Sequence, residues 1–212
     1  WMTKYYINEY GFELKTAALM ASIFVLPSGV IRALGGWFSD KYGAYKVTWW
    51  VMWISVVCLF FMSYPQTALI IQTTTGEAIF DISLNVWIFT ALLFVLGIAW
   101  GFGKASVFKF LSDEYPENIG VASGIVGLAG GLGGFLLPIM FGILIDLTHI
   151  NSVIFMLLYG ATGVSLIWMH FTFGKEESER KIHEANETVL EEYKNTHGEE
   201  ALLSARAILE QA

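Results

Sequence analysis

The sequence predicts an all-α membrane protein, a bundle of spanning helices followed by a polar tail. Of the 212 residues, 55% are hydrophobic and only 15% are charged, against about 25% charged in a typical soluble domain. More than half of the acidic residues are concentrated in residues 175–212. Five apolar stretches precede this tail, each long enough to cross a hydrocarbon core of about 30 Å, which takes roughly 20 helical residues.

The predicted spans are residues 16–38, 46–64, 87–111, 119–146 and 152–173. Ahead of them, residues 1–10 have the composition of the last turns of an earlier helix, which Gly11 is expected to end. Because the chain starts with Trp1 rather than with methionine and has no signal-peptide layout, we expect it to be a fragment whose N-terminal part is missing.

The connections between spans predict an orientation. Lysines and arginines lie in or beside segments 39–45 and 112–118 and after the last span, whereas segment 65–86 contains none. By the positive-inside rule, the basic connections are cytoplasmic. We therefore expect a multi-pass protein of the inner (plasma) membrane. Residues 1–174 form its transmembrane part, and 175–212 form an acidic, partly helical cytoplasmic tail whose helix breaks near His197.

Two cations lie inside predicted spans. Arg32 follows Ser28 by four residues and Gly29 by three, and Lys104 follows Gly101 by three, so each shares a helix face with small residues. A cation in the middle of a membrane costs roughly 2.5–3.5 kcal/mol on insertion scales and indicates a functional site. We expect the two to line a cavity that binds an anion. A buried ion pair for Arg32 and snorkelling for Lys104 are the structural alternatives.

The fourth span is rich in glycine. Its glycines are Gly120, Gly124, Gly127, Gly130, Gly131, Gly133, Gly134 and Gly142. An interior glycine costs a helix about 1 kcal/mol relative to alanine, so the cluster requires a role. It either packs closely against a neighbouring helix or presents bare backbone to the path of a small ligand. We expect spans 16–38, 87–111 and 119–146 to converge on a central cavity, with 46–64 and 152–173 outside.

Several other classes of function are disfavoured. A net charge of −7 without a basic cluster speaks against nucleic-acid binding. Cys58 is the one cysteine, which leaves no disulfide framework. The Gly103-Lys104 pair does not belong to a phosphate-binding loop, because that motif requires other residues at Ile98 and Ala105. We predict no catalytic motif, metal site or cofactor, and the protein is not expected to be an enzyme.

The connection after the first span resembles the cytoplasmic loop motif of the major facilitator superfamily, G-x-x-x-D-[RK]-x-G-[RK]-[RK]. Gly36, Asp40, Lys41 and Gly43 match this motif, while positions 44 and 45 hold Ala and Tyr where basic residues are usual. The resemblance implies that the chain is the C-terminal helical bundle of such a transporter. It also implies that the four matching residues form a gating loop.

Two further segments are similar to the nitrate/nitrite porter family. GFGKASVFKF and GIVGLAGGLGGFLLPIMFG, which begin at residues 101 and 124, resemble its tenth helix and its glycine-rich eleventh helix. Arg32 matches the arginine that holds the anion together with an arginine of the second helix, and Lys104 resembles the subgroup that moves nitrate with protons. The substrate-binding residues expected from the cavity and the resemblance are Arg32, Lys104, Gly101, Gly103, Gly127, Gly130, Gly131, Gly133 and Gly134.

The expected function is secondary active transport of nitrate, and of nitrite as a further substrate, by alternating access with coupling to protons. The partners are then these anions, protons, the lipid bilayer and the missing N-terminal half. Lys104 is the deeply placed group that can release a proton, because an arginine keeps its charge; in the other interpretation it only adds positive potential. The alternatives are a nitrate/nitrite exchanger, a facilitator for another small anion, and an anion-binding sensor that signals through the tail.

Overall fold

The computed structural model describes residues 1–74 and 76–197. Its elements are α1 (Met2–Tyr10), α2 (Leu14–Tyr42), α3 (Ala44–Ser63), β1 (Thr67–Thr73), β2 (Gly76–Ile82), α4 (Val86–Glu114), α5 (Ile119–Thr148) and α6 (Val153–His197). Helices α2 to α6 each contain a segment long and apolar enough to cross a membrane. These segments coincide with the five predicted spans, so the helical membrane fold is confirmed.

The two ends of the chain differ in how far the structure tests the predictions made from the sequence. Gly11 adopts a left-handed conformation with φ of 65° and ends α1, as predicted. Helix α6 continues beyond residue 173 to His197, and the predicted break and second tail helix lie outside the described residues. The chain divides into two compact units, Trp1–Leu166 and Ile167–Ala212. The division at residue 174 between the membrane part and the tail stays a prediction.

The segment between the second and third helices forms a β-hairpin that the sequence analysis does not anticipate. Strands β1 and β2 are antiparallel, with Thr67 opposite Ile82 and Thr73 opposite Gly76. Strand β1 is rich in threonine and isoleucine, and β2 contains Ile79, Phe80 and Ile82; β-branched and aromatic residues of this kind favour a pleated backbone. The hairpin exposes several large apolar side chains, among them Ile70, Ile79 and Phe80. It is an addition to the helical bundle rather than a change of fold class.

Helices α2 and α4 contact each other backbone to backbone. A β-carbon built on Gly97 would lie 2.6 Å from the carbonyl oxygen of Phe24, and one on Gly35 would lie 2.6 Å from the β-carbon of the facing residue. The contacts, in order along both helices, are Phe24 with Gly97, Ser28 with Gly101 and Gly35 with Ala105. Since they advance in the same direction, the helices are parallel. Small residues spaced by four on α4 permit this approach, as in many membrane helix pairs.

Helix α3 lies against α4 in the opposite direction. Thr48 and Ser106 share a hydrogen bond of 2.9 Å between their hydroxyls, and Trp100 Nε1 donates to Ser55 Oγ at 3.1 Å. Because residue numbers rise on α3 while they fall on α4, the pair is antiparallel. Hydrogen bonds between membrane helices contribute roughly 0.6–2 kcal/mol each, so they hold α3 in register with α4.

The main hydrophobic core lies at the end of the bundle where α2 and α4 begin. Tyr5 stacks on Phe89 with 4.8 Å between ring centroids and meets Phe155 edge to face at 5.0 Å. Tyr6 is fully buried and shares a 2.7 Å hydrogen bond with Thr90. Helix α1 is thereby attached to both α4 and the start of α6.

Helix α5 does not converge with α2 and α4 as expected. It contacts α4 at few positions and does not pack along α2. A β-carbon on any of its glycines from 120 to 134 would meet nothing within 4 Å in the described part of the chain. Glycines permit a close approach of helices but do not ensure one, and in the structure α3 rather than α5 is the second partner of α4. The prediction of three converging spans is wrong in this respect.

The close contact predicts the effect of a single methyl group. Gly97→Ala should lower the free energy of unfolding by about 1–3 kcal/mol, because the new β-carbon would overlap the Phe24 carbonyl and force the helices apart. Gly160→Ala, which meets no atom within 4 Å, is the matched control. It should leave stability unchanged or raise it by up to about 1 kcal/mol. Thermal unfolding in detergent measures both, and equal stabilities would contradict the backbone contact.

Candidate functional site

Arg32 and Lys104 lie at the same level of the bundle. Ser28 and Gly35, on either side of Arg32, contact the two α4 residues at positions 101 and 105 that flank Lys104. Since α2 and α4 are parallel, the two cations occupy matching positions on adjacent helices. Residues three and four apart share a helix face, so each cation lies beside the residues of its helix that make the α2–α4 contact. Both cations are therefore at the border of this contact.

The two cations lie on one edge of this contact, and an aromatic pair lies on the other. Phe38 and Phe102 meet across the helices with 5.2 Å between ring centroids. Two residues along an α-helix turn a side chain through about 200°, so Lys104 projects from the side of α4 opposite to Phe102. Arg32 is six residues before Phe38, about a third of a turn away around α2. The cationic edge and the aromatic edge are therefore separate surfaces.

Neither cation is neutralised within the described residues. Arg32 and Lys104 are both exposed, and the ion pairs among residues 1–74 and 76–197 involve another lysine. A buried ion pair, the structural alternative for Arg32, thus finds no carboxylate in this part of the protein. Two uncompensated cations side by side repel each other and create a positive potential that an anion would relieve.

The predicted glycines fall into two groups. Gly101 faces the backbone of Ser28, and a β-carbon on Gly103 would lie 3.0 Å from a methyl group of Val51 on α3. Helix packing therefore accounts for both of these glycines. The α5 members of the predicted site have open space around them, and four of the five are exposed. These α5 members are Gly127, Gly130, Gly131, Gly133 and Gly134.

This arrangement is suited to binding a small anion. The guanidinium of Arg32 presents a planar fork that can hydrogen-bond two oxygens of one ligand, whereas Lys104 supplies a compact charge. Among the residues that the structure describes, no group of three or more His, Cys, Asp or Glu could hold a metal ion. The cationic edge offers binding and charge compensation to an anion.

The predicted gating loop lies at the end of α2. Gly43 has φ of 86° and connects α2 directly to α3, a conformation that residues with a β-carbon rarely adopt. Gly36 has open space around it. Lys41 lies 5.4 Å from the ring centroids of both Trp37 and Tyr42. The loop is thus a tight turn with a cation held over two aromatic rings.

An ion pair joins this loop to α4. Lys109 Nζ lies 3.0 Å from a carboxylate oxygen of Asp40 and 2.9 Å from one of Asp113. The sequence analysis uses Lys109 only as a charge that indicates the cytoplasmic side. Its spacing of four residues from Asp113 is a signal for a helical ion pair, but its contact with Asp40 depends on the α2–α4 packing. Lys109 is therefore the residue of this region that sequence reasoning missed.

The chain is similar to several known proteins along most of its length. The model of the Major Facilitator Superfamily matches residues 2–209. A "Probable nitrate/nitrite antiporter NarK1" of Thermus thermophilus is 31% identical over 88% of this chain and 42% of its own length. A "Probable nitrate transporter NarT" of Staphylococcus haemolyticus is 27% identical over 82% and 41%. No solved structure matches the chain significantly.

These matches confirm the resemblance to the nitrate/nitrite porters. The chain spans about two-fifths of the length of the curated relatives that it matches. The names of the relatives describe transport of nitrate and nitrite by those proteins.

The exposure of the ion pair predicts how much it stabilises the fold. All three side chains are a third or more exposed, so Lys109→Gln should lower the free energy of unfolding only slightly, by the small amount typical of exposed ion pairs. The loss should shrink at 1 M salt, where the Debye length is about 3 Å. Thermal unfolding at low and high salt measures this, with Lys15→Gln as the control. A loss well beyond this size, or one independent of salt, would show that the pair is shielded from water.

Proposed function

The chain belongs to the Major Facilitator Superfamily, and from this we propose that it forms part of a nitrate transporter that works by alternating access. The observation that carries the proposal is the cationic edge of the α2–α4 contact, where Arg32 and Lys104 lie at one level without a carboxylate among the described residues. The names of the similar relatives support nitrate as the anion and nitrite as a second substrate.

Nitrate suits this edge for physical reasons. It is a planar, monovalent anion, and one guanidinium can hydrogen-bond two of its oxygens side by side. Because the edge contains no carboxylate in the described chain, it offers nothing that would hold a cation instead. Arg32 is proposed to fix the orientation of the anion, and Lys104 to add attraction without imposing a geometry.

The glycines of α5 are proposed to border the path of the anion. Their open surroundings leave bare backbone along the helix, which a small ligand can approach closely. Gly127, Gly130, Gly131, Gly133 and Gly134 carry this role. Gly101 and Gly103 contribute indirectly, by setting the separation of α2 from α4 and of α4 from α3.

Alternating access requires contacts that form in one state and open in another. The ion pair between Asp40 and Lys109 is suited to this, because an exposed pair is weak enough to exchange partners. We place the gate in the loop that contains Gly36, Asp40, Lys41 and Gly43. An N-terminal half, the inner membrane and a cytoplasmic position for residues 175–212 complete the proposal, by analogy with the two-part transporters of this superfamily.

Proton coupling is proposed to act through Lys104. An anion bound between Arg32 and Lys104 would favour the ammonium form of the lysine, so anion binding and proton uptake would each promote the other. In the other interpretation, Lys104 stays charged throughout and only adds positive potential. The similarity to a relative named as an antiporter supports the alternative of nitrate/nitrite exchange. Facilitated passage of another small anion is a further alternative.

Replacing the guanidinium tests the planar-anion argument. Arg32→Lys should abolish or strongly reduce nitrate binding although the charge is kept, because the two-pronged hydrogen-bond geometry is lost. Equilibrium binding of nitrate to the purified protein is the measurement, and Arg180→Lys in the tail is the matched control. An affinity of Arg32→Lys within about twofold of the wild type would show that charge alone is recognised.

Replacing the lysine tests proton coupling. If Lys104 carries the proton, Lys104→Arg should lose accumulation of nitrate driven by a pH gradient, because an arginine does not release its proton. Lys104→Ser should retain only passive or exchange flux. Uptake into proteoliposomes measures both variants with and without a pH gradient. If Lys104→Arg still concentrates nitrate when driven by protons, the coupling proton is carried elsewhere.

Removal of the tail separates transport from sensing. A chain that ends at residue 174 should keep its nitrate flux if the protein is a transporter, because the residues proposed for the site lie on α2, α4 and α5 and none of them lies in the tail. In the alternative from another class, an anion-binding sensor, the same truncation would keep binding and lose the output. Uptake and binding measured on one truncated preparation decide between the two.

A further inference from the structure

A groove separates α2 from α3 on the surface of the bundle. Its volume is about 440 Å³, within the range of roughly 300–1,000 Å³ that is typical of ligand sites. Its walls are apolar and aromatic side chains of three helices: Phe38 and Tyr42 of α2, Trp50 and Ile54 of α3, and Val95 and Ile98 of α4.

The groove arises from the way the three helices pack. Both α2 and α3 lie along α4, but they contact each other much less and are joined by the tight turn at Gly43. The space between them is floored by Val47, Val51 and Ala99, each less than 9% exposed. The groove is therefore a fixed feature of the packing rather than a gap between mobile side chains.

The groove is not part of the proposed anion site. Phe38 and Phe102 both line it, and they form the aromatic edge of the α2–α4 contact. Arg32 and Lys104 project from the other edge. A ligand of the groove would thus occupy the outer surface of the bundle without touching the two cations.

Charge is concentrated at one end of the groove. Lys46, in the first turn of α3, is its one charged lining residue in the described chain, and Lys41 lies beside Tyr42 at the same end. Neither lysine has an ion-pair partner among the described residues, because Asp40, the nearest carboxylate in sequence, is paired with Lys109. This end can therefore accept a negative charge.

The length of the groove matches one leaflet of a bilayer. From Lys46 to Ile54 is eight helical residues, about 12 Å, while half of a hydrocarbon core is about 15 Å. Tyr42 borders the charged end, and Trp50 lies about one helical turn further along α3; aromatic residues of this kind are typical of the membrane–water interface. The cation thus lies at headgroup level and the apolar walls at the level of the acyl chains.

We propose that this groove binds an anionic phospholipid, with one acyl chain between α2 and α3 and the phosphate at Lys46. The bilayer supplies this ligand at high concentration, already oriented with its charge at the surface and its chain in the core. A phospholipid of this kind needs a cation for its phosphate and an apolar surface for its acyl chain, and the groove offers both. The site does not depend on nitrate transport, only on the position of the chain in a membrane.

Lipid retention tests the proposal. The protein is purified from a bilayer that contains equal amounts of phosphatidylglycerol and phosphatidylcholine, and the lipids that remain bound are counted by native mass spectrometry. The wild type should retain phosphatidylglycerol in excess. Lys46→Gln should reduce this excess about fivefold, the contribution of one lysine near anionic lipid. Lys15→Gln, a cation outside the groove, should keep it.

A second variant tests the apolar part of the groove. Val95→Trp places a large ring on one wall and should reduce the retention of both lipids, while leaving the protein monodisperse. Unchanged phosphatidylglycerol in Lys46→Gln, or unchanged lipid in Val95→Trp, would overturn the proposal. A dimer mass in the wild type that disappears in Val95→Trp would also overturn it, since the groove would then be an interface between two copies of the chain.

Discussion

The architecture depends on the backbone contact between α2 and α4. Glycines at positions 35, 97 and 101 bring the two helices so close that a β-carbon would lie 2.6–3.0 Å from an atom of the facing helix. Lipid tails are as apolar as leucine, so apolar area alone does not hold membrane helices together, and close packing must do so. Because this contact fixes the register, it also decides which side chains lie level with each other. Arg32 and Lys104 on one edge, and Phe38 and Phe102 on the other, are consequences of it.

The same register explains why the cations of α4 differ in chemistry. Lys109 lies where α2 ends, and its charge is compensated by Asp40 and Asp113. Lys104, five residues earlier, lies opposite the stretch of α2 that contains Arg32 and no carboxylate. Lys104 and Lys109 are the same type of residue, and they differ only in their position along the α2–α4 contact. This difference concentrates uncompensated positive charge at one level, which is where an anion would be held.

Helix α3 gives the bundle a second surface. Its hydrogen bonds to α4 hold it antiparallel, while the tight turn at Gly43 keeps its start close to the end of α2. Since α2 and α3 both follow α4 but contact each other much less, a groove opens between them with Lys46 at one end. One packing arrangement thus produces a cationic edge and, on the other side of the α2–α4 contact, a lipid-sized groove.

The sequence by itself determined the five spans, the end of α1 at Gly11 and the positions of Arg32 and Lys104 along their helices. The length of an apolar stretch and the position of a glycine act on the local backbone, so both can be interpreted without knowing which helices lie alongside. Only the tertiary structure decided that Gly101 and Gly103 serve packing, that Lys109 pairs with Asp40 and that α3 rather than α5 accompanies α4. Each of these three outcomes depends on which helix packs against which. Helical periodicity in the sequence shows which residues share a face, but it does not identify the neighbouring helix that packs on this face. The hairpin at β1 and β2 was missed for a related reason: two short β-branched segments become strands only when they pair with each other.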